Sequence, residues 1–140
     1  AARAPARLSG GQAQLVALAS VLAMGTPYLV LDEPTAQLDP EGTRMVGEAL
    51  RRLTESGRVG LLIVEQKTDL LLRTADRVAV VDDGHIVLEG PAAAVLADER
   101  LPDWGVEPPA PVRLRRQLTQ AGVEQATVER AMKIMGVGAA

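Results

Sequence analysis

An α/β fold, a parallel sheet with helices packed on it and a small helical appendage behind, is what the 140-residue sequence predicts. Three observations carry that expectation. Short apolar runs of strand length, Tyr28–Leu31, Gly60–Val64 and Arg77–Val81, alternate with segments of helical spacing. Capping residues stand at the starts of those segments. A Pro-rich change of composition, from Asp98 to Pro111, sets the last two helical stretches apart from the rest.

Taken in order, Ala1–Arg7 is an Ala/Pro/Arg lead without periodicity. Ser9 is a good N-cap, and Ala13, Val16, Ala17, Ala19, Ser20 and Ala23 recur at helical spacing from Gln12 to Met24, so a helix ends near Gly25. Pro27 leads into the strand Tyr28–Leu31, which is apolar on both faces and reads as a central parallel strand covered by helices. Asp39-Pro40-Glu41 supplies a cap, a proline at the first helical position and an acid in the first turn, opening a helix that runs to about Glu55 and stops at Ser56-Gly57. Gly60–Val64 is the next buried strand, and Thr68 or Asp69 begins a short helix through Arg73. Asp82-Asp83-Gly84-His85 is a hairpin signal joining Arg77–Val81 to Ile86–Glu89. A small Ala-rich helix follows Gly90-Pro91 to about Ala97. Beyond the Pro-rich stretch, 112–121 and 124–135 read as two helices broken at Gly122, with Leu114, Leu118, Val123, Val128, Ala131 and Met135 as their apolar contacts.

Composition narrows the function. The hydrophobic content of 47% comes from Ala, Val and Leu, with no Phe, one Tyr and one Trp, so platforms for stacking bases are nearly excluded. A net charge of −3 with a pI near 5.2 gives no electrostatic footprint for nucleic acid. Without cysteine there is neither a disulfide nor a Cys-ligated metal. The longest mostly apolar stretch, Leu15–Met24, falls short of the ~20 residues that a membrane-spanning helix needs. The absence of a start Met and of a secretory signal is what an internal fragment shows.

Two phosphate-handling patterns remain. In Leu8-Ser9-Gly10-Gly11-Gln12 a Ser-Gly-Gly turn enters a helix, aiming unpaired N–H groups and the positive end of the helix dipole at whatever anion lies in front. In Tyr28-Leu29-Val30-Leu31-Asp32-Glu33 an apolar strand closes on two carboxylates at the edge where α/β proteins bind ligands. Alone, the first is an ordinary capped helix start and the second a strand end followed by a turn. Together they gain meaning. Opposed to them is a lack: the two lysines, Lys67 and Lys133, follow Gln66 and Met132, so the chain has no Gly-Lys pair and no phosphate cradle of the P-loop kind.

On these residues the chain, from about Leu8 to about Gly90, resembles the ATP-binding cassette (ABC) transporter ATPases, with residues 8–12 as the signature motif and 28–33 as the Walker B strand. The resemblance implies a P-loop NTPase-like parallel sheet, of which this chain is the C-terminal part; the P-loop would lie upstream or on another polypeptide. It divides the sequence into cassette (1–97), Pro-rich linker (98–111) and short helical appendage (112–140). It implies ATP and Mg²⁺ as cofactors, with Asp32 helping to place the metal and Glu33 as general base for the attacking water. Ser9, Gly10, Gly11 and Gln12 would act on a nucleotide held by a second ABC ATPase subunit, and Asp39 matches the acid of the D-loop that passes between two cassettes. Gln66 stands where the family usually carries a switch His; it donates a hydrogen bond but shuttles no proton. Leu15 replaces a common Arg, and Gln37 a common small residue. The resemblance further implies transmembrane transporter subunits as partners, no nucleic acid, and a place at the cytoplasmic face of the cell membrane, with the chain inactive alone. Val64–Asp69, Asp82–Gly90 and Gly105–Pro109 look similar to energy-coupling-factor importers of vitamins and transition-metal ions; Gln66 also suits an amino-acid importer. A non-catalytic module supplying its signature to another cassette is the alternative. His85, the lone histidine, reads as a solvated turn residue.

Overall fold

The structure, a computed structural model, describes residues 9–134, so Leu8, the lead Ala1–Arg7 and Met135 lie outside the described residues. The chain forms two compact units that meet in sequence between Gln66 and Lys67.

In the first unit, helix α1 (Gly10–Ala23) precedes strand β1 (Tyr28–Asp32), helix α2 (Pro40–Glu55) and strand β2 (Gly60–Val64). β1 and β2 pair in parallel, with Leu29 opposite Leu61 and Leu31 opposite Ile63. A parallel pair needs a crossover connection, and α2 provides it. Asp39 caps α2, its Oδ1 accepting from the Gly42 N–H at 2.7 Å, with Pro40 in the first turn as the sequence predicts. The buried stripe Gly42, Thr43, Val46, Gly47 and Leu50 faces the sheet, while Arg44 pairs with Glu41 and Glu48 on the solvent side. Leu18, Leu31, Val46 and Leu50 form the core, with Leu15, Leu22, Leu38, Leu61 and Ile63 around it.

Three expectations fail here, one of them that of a buried strand at Gly60–Val64, where Leu62 and Val64 are 61% and 56% exposed. α1 turns Leu15, Leu18 and Leu22 to the core and leaves Val16 54% exposed, so the small-residue series picked out by periodicity is not the packed face. The three leucines also lie at helical spacing, and their larger apolar area decides the rotation of the helix. Strand β1 is buried on one face only: Leu29 and Leu31 are covered, whereas Tyr28 and Val30 are 79% and 71% exposed. Both faces of the strand are apolar in sequence, but helices cover one.

The second unit opens with α3 (Thr68–Thr74) and a hairpin of β3 (Arg77–Asp82) and β4 (His85–Pro91). Asp83 and Gly84 both take positive φ, 44° and 75°, as a two-residue hairpin loop requires. The hairpin forms its own antiparallel sheet, not a continuation of the parallel pair. Helix α4 (Ala92–Leu96) and a 3-10 turn at Leu101–Trp104 follow. Val80, Val95 and Leu101 make the core of this unit, joined by Val78, Val87, Leu88, Trp104 and Val106. Helices α5 (Ala110–Gln120) and α6 (Gln125–Ile134) complete it, with Val128 and Met132 buried. Between them Gly122, at φ 74°, ends α5: the Val123 N–H reaches the Leu118 carbonyl and the Gly122 N–H the Thr119 carbonyl, both at 3.0 Å.

Candidate functional site

The candidate residues of the first unit lie at the carboxyl ends of its two strands and at the start of α1. Ser9 and Gln12 form a capping box: the Ser9 Oγ accepts from the Gln12 N–H and the Gln12 Oε1 accepts from the Ser9 N–H, each at 3.2 Å. The reciprocal pair fixes the first turn and leaves the Ser9 hydroxyl hydrogen available to an acceptor. Gly10 and Gly11 are there because the chain is crowded. A Cβ on Gly11 would come within 3.1 Å of the Gln37 carbonyl oxygen, and one on Gly10 within 2.4 Å of the Gln37 side-chain oxygen. The helix start thus lies against the loop between β1 and α2, and Gln14 Nε2 donates to the Pro34 carbonyl at 3.1 Å to hold the two together.

At the other end of that loop, Asp32 closes β1 opposite Val64, with its side chain in an exposed position. Glu33 carries φ 43°, the left-handed region that costs a non-glycine residue roughly 1–3 kcal/mol. Three bonds hold it there. Its N–H donates to the Val64 carbonyl at 2.8 Å, its carbonyl accepts from Ala36 at 3.1 Å, and its Oε1 accepts from Gln66 Nε2 at 2.5 Å. The turn brings the Glu33 carboxylate to Gln66, two residues past the end of β2. Glu33 and Gln66, far apart in sequence, are bonded to each other.

Next to that contact stand two residues that sequence reasoning did not single out. Glu65 Oε2 accepts from the Thr35 hydroxyl at 2.6 Å, and its Oε1 accepts from the Gln66 N–H at 2.9 Å. Thr35 is fully buried. The signal was present: a carboxylate directly after an apolar strand and a hydroxyl directly after Asp-Glu-Pro are both out of place unless they have a polar partner. Gln14 was missed because its partner, the Pro34 carbonyl, is a backbone group twenty residues away in sequence.

The site residues therefore fall into two groups, Glu33 with Gln66 at the strand ends and Ser9 to Gln12 against the Gln37 loop. Asp39 caps α2. His85 sits in the hairpin turn of the second unit, its Nδ1 2.8 Å from the Asp83 carbonyl. Among the described residues no group of three His, Cys, Asp or Glu side chains could by itself hold a metal ion. A lone exposed Asp32 fits Mg²⁺, which keeps most of its waters and takes one or two carboxylates together with substrate phosphates.

Comparison with known proteins bears on the family and the fold. Residues 1–36 match the ABC transporter family. The energy-coupling factor transporter ATP-binding protein EcfA of Methanosarcina acetivorans is 42% identical over 121 residues, which span 86% of this chain and 43% of that protein. The chain spans less than half the length of the curated relatives it matches. Among solved structures, the ATP-binding cassette MJ1267 of an ABC transporter superposes with a TM-score of 0.64 at 28% identity, covering 75% of this chain and 43% of that one. The dimeric bacterial ABC transporter cassette MJ0796 gives 0.59 at 30% identity, covering 63% and 38%.

Proposed function

We propose, for what sequence and fold make the C-terminal part of an ABC transporter ATPase, that it supplies the hydrolytic base and the signature turn of an ATP-driven importer. The observation that carries this reading is the hydrogen bond between Gln66 and Glu33 where β1 and β2 end. Glu33 accepts the proton of the attacking water. Gln66, as a donor only toward a carboxylate, holds that carboxylate by one oxygen and leaves the other for the water. Asp32 would hold Mg²⁺, which neutralises charge on the phosphates when bound. A donor without a proton to shuttle orients the base, so turnover depends on Gln66 through geometry and not through its titration.

Ser9, Gly10 and Gly11 present a hydroxyl and the N–H groups of a helix start to an anion. In this reading the anion is the terminal phosphate of ATP bound to a second cassette, and the dimeric relative supports that arrangement. The partners are that second ATPase subunit and transmembrane transporter subunits, which place the complex at the cytoplasmic face of the membrane. No helix among the described residues is long and apolar enough to cross a membrane. In this reading the transported substrate is a vitamin or a transition-metal ion, as the resemblance to energy-coupling-factor importers implies; relatives that carry the energy-coupling-factor name support the importer type.

Steady-state ATP hydrolysis by the complete polypeptide that carries this sequence tests the proposal. Turnover is expected to require Mg²⁺ and to fall by about 10²–10⁴-fold in Glu33→Gln, the usual contribution of a positioned general base. An unchanged rate in that variant would remove Glu33 from the chemistry.

A further inference from the structure

We propose that Glu65 is a positioning residue for this hydrolysis, acting through Gln66; the inference rests on the ATPase reading above. Its carboxylate has two oxygens and meets two donors, the Thr35 hydroxyl on one side and the Gln66 N–H on the other. Thr35 belongs to the loop that carries Glu33. Gln66 carries the amide that Glu33 accepts. The bonds close a ring: Val64 carbonyl to Glu33 N–H, Glu33 carboxylate to Gln66 amide, Gln66 N–H to Glu65, and Glu65 to Thr35, two residues from Glu33.

The ring answers a physical need. Gln66 lies in an exposed position, and a long exposed glutamine samples several rotamers, each of which would aim its amide elsewhere. Fixing its backbone N–H sets the direction in which the side chain leaves the chain, so that the rotamer bonded to Glu33 is the one aimed at it. The opposite end of the ring is anchored at Thr35, whose burial makes the Thr35–Glu65 bond costly to break. Glu65 has both oxygens engaged by donors, whereas the base must keep one oxygen for water. The two carboxylates beside Gln66 therefore have different tasks, Glu33 for the proton and Glu65 for the geometry.

A glutamine at 65 keeps both links, because a hydroxyl accepts as readily as it donates: the new amide oxygen takes the Gln66 N–H and the new NH₂ donates to Thr35. An alanine loses both. In the complete cassette without nucleotide, the side-chain amide resonances of Gln66 are expected to hold a fixed, shifted position in the parent and in Glu65→Gln, and to collapse toward free-glutamine values in Glu65→Ala. With Mg²⁺-ATP, Glu65→Ala is expected to lower kcat by roughly tenfold with KM within about twofold, the pattern of a lost transition-state alignment. Glu65→Gln retains most of the rate, and Thr35→Val gives an intermediate loss. In Gln66→Ala the further change Glu65→Ala has clearly less than its full effect, since the side-chain amide it positions is gone and only the link through Thr35 remains.

Additive losses in that cycle, or a Glu65→Gln protein as slow as Glu65→Ala, overturn the proposal, the second by showing that the charge itself acts. If Glu65→Ala does not fold, Glu65→Gln and Thr35→Val carry the same decision. Normal turnover in Glu33→Gln, by contrast, refutes the ATPase assignment of the base and leaves the amide resonances to judge the ring alone.

Discussion

Glu33, the base proposed above, illustrates how a single residue is held in an unfavourable conformation. Its left-handed backbone is unfavourable for a side chain with a Cβ, and the surrounding bonds to Val64, Ala36 and Gln66 hold it in place. Thr35 supports the same turn from beneath. Replacing it by valine keeps the shape and removes the hydroxyl from a fully buried position, leaving Glu65 short of one donor. Unfolding of Thr35→Val in denaturant is expected to show a loss of about 1–3 kcal/mol, with Thr35→Ser restoring most of it. The two glycines of the helix start should also differ. Gly11→Ala drives a methyl toward a backbone oxygen that has little room to move, whereas Gly10→Ala meets the movable end of the Gln37 side chain. Melting temperatures are expected to fall further for Gly11→Ala than for Gly10→Ala; the reverse order would mean that the Gln37 loop yields as a whole. At this scale the sequence was informative where function depends on local chemistry. Asp39 as a cap and Asp83-Gly84 as a hairpin loop follow from their neighbours alone. Glu65 and Thr35 do not, because the bond between them spans thirty positions of chain.

Among the elements, helix α5 shows what periodicity leaves out. Its N-cap is Pro109, which offers no side-chain acceptor, and the missing group comes from another element: Asp69 Oδ1 in the first turn of α3 accepts from the Ala110 N–H at 3.1 Å. Thr68 adds a second tie, its hydroxyl donating to the Glu107 carbonyl at 2.8 Å. One carboxylate thus stands at the positive ends of two helices. Asp69→Ala is expected to speed hydrogen exchange of the Ala110 amide and of the α5 segment after it, at a cost of about 1 kcal/mol, while Asp69→Asn keeps an acceptor and most of the protection. Exchange unchanged in Asp69→Ala would show that the proline-bounded start holds α5 unaided. Element positions were legible because caps, prolines and strand-length apolar runs are local signals. The rotation of α1 was not, since two apolar series lie on that helix and only packing against Leu31, Val46 and Leu50 selects Leu15, Leu18 and Leu22.

For the molecule as a whole, the decisive fact is the uncovered face of the β1–β2 pair. Tyr28, Val30, Leu62 and Val64 lie on it, each more than half exposed, while the opposite face carries α1 and α2. A contiguous apolar sheet face beside an unpaired strand edge invites association. The 140-residue chain studied alone is expected to self-associate, and Val30→Lys with Leu62→Lys to shift its sedimentation toward a monomer; a monodisperse parent would contradict this. In sequence both faces of β1 are apolar, which is why a fully covered strand was expected. Which face is covered is decided by the packing of α1 and α2, not by the strand's own residues. The parallel order of β1 and β2 was legible from the helix between them, whereas the separation of the hairpin into its own sheet was not, because strand signals do not say which strand pairs with which.

The central claim, that Glu33 is the base of an ATP-hydrolysing site, is tested most directly by the nucleotide recovered from the complete polypeptide after incubation with Mg²⁺-ATP. The account predicts ADP from the parent and intact ATP, still bound, from Glu33→Gln, because binding survives and only the proton acceptor is gone. ADP formed by Glu33→Gln as fast as by the parent would contradict it.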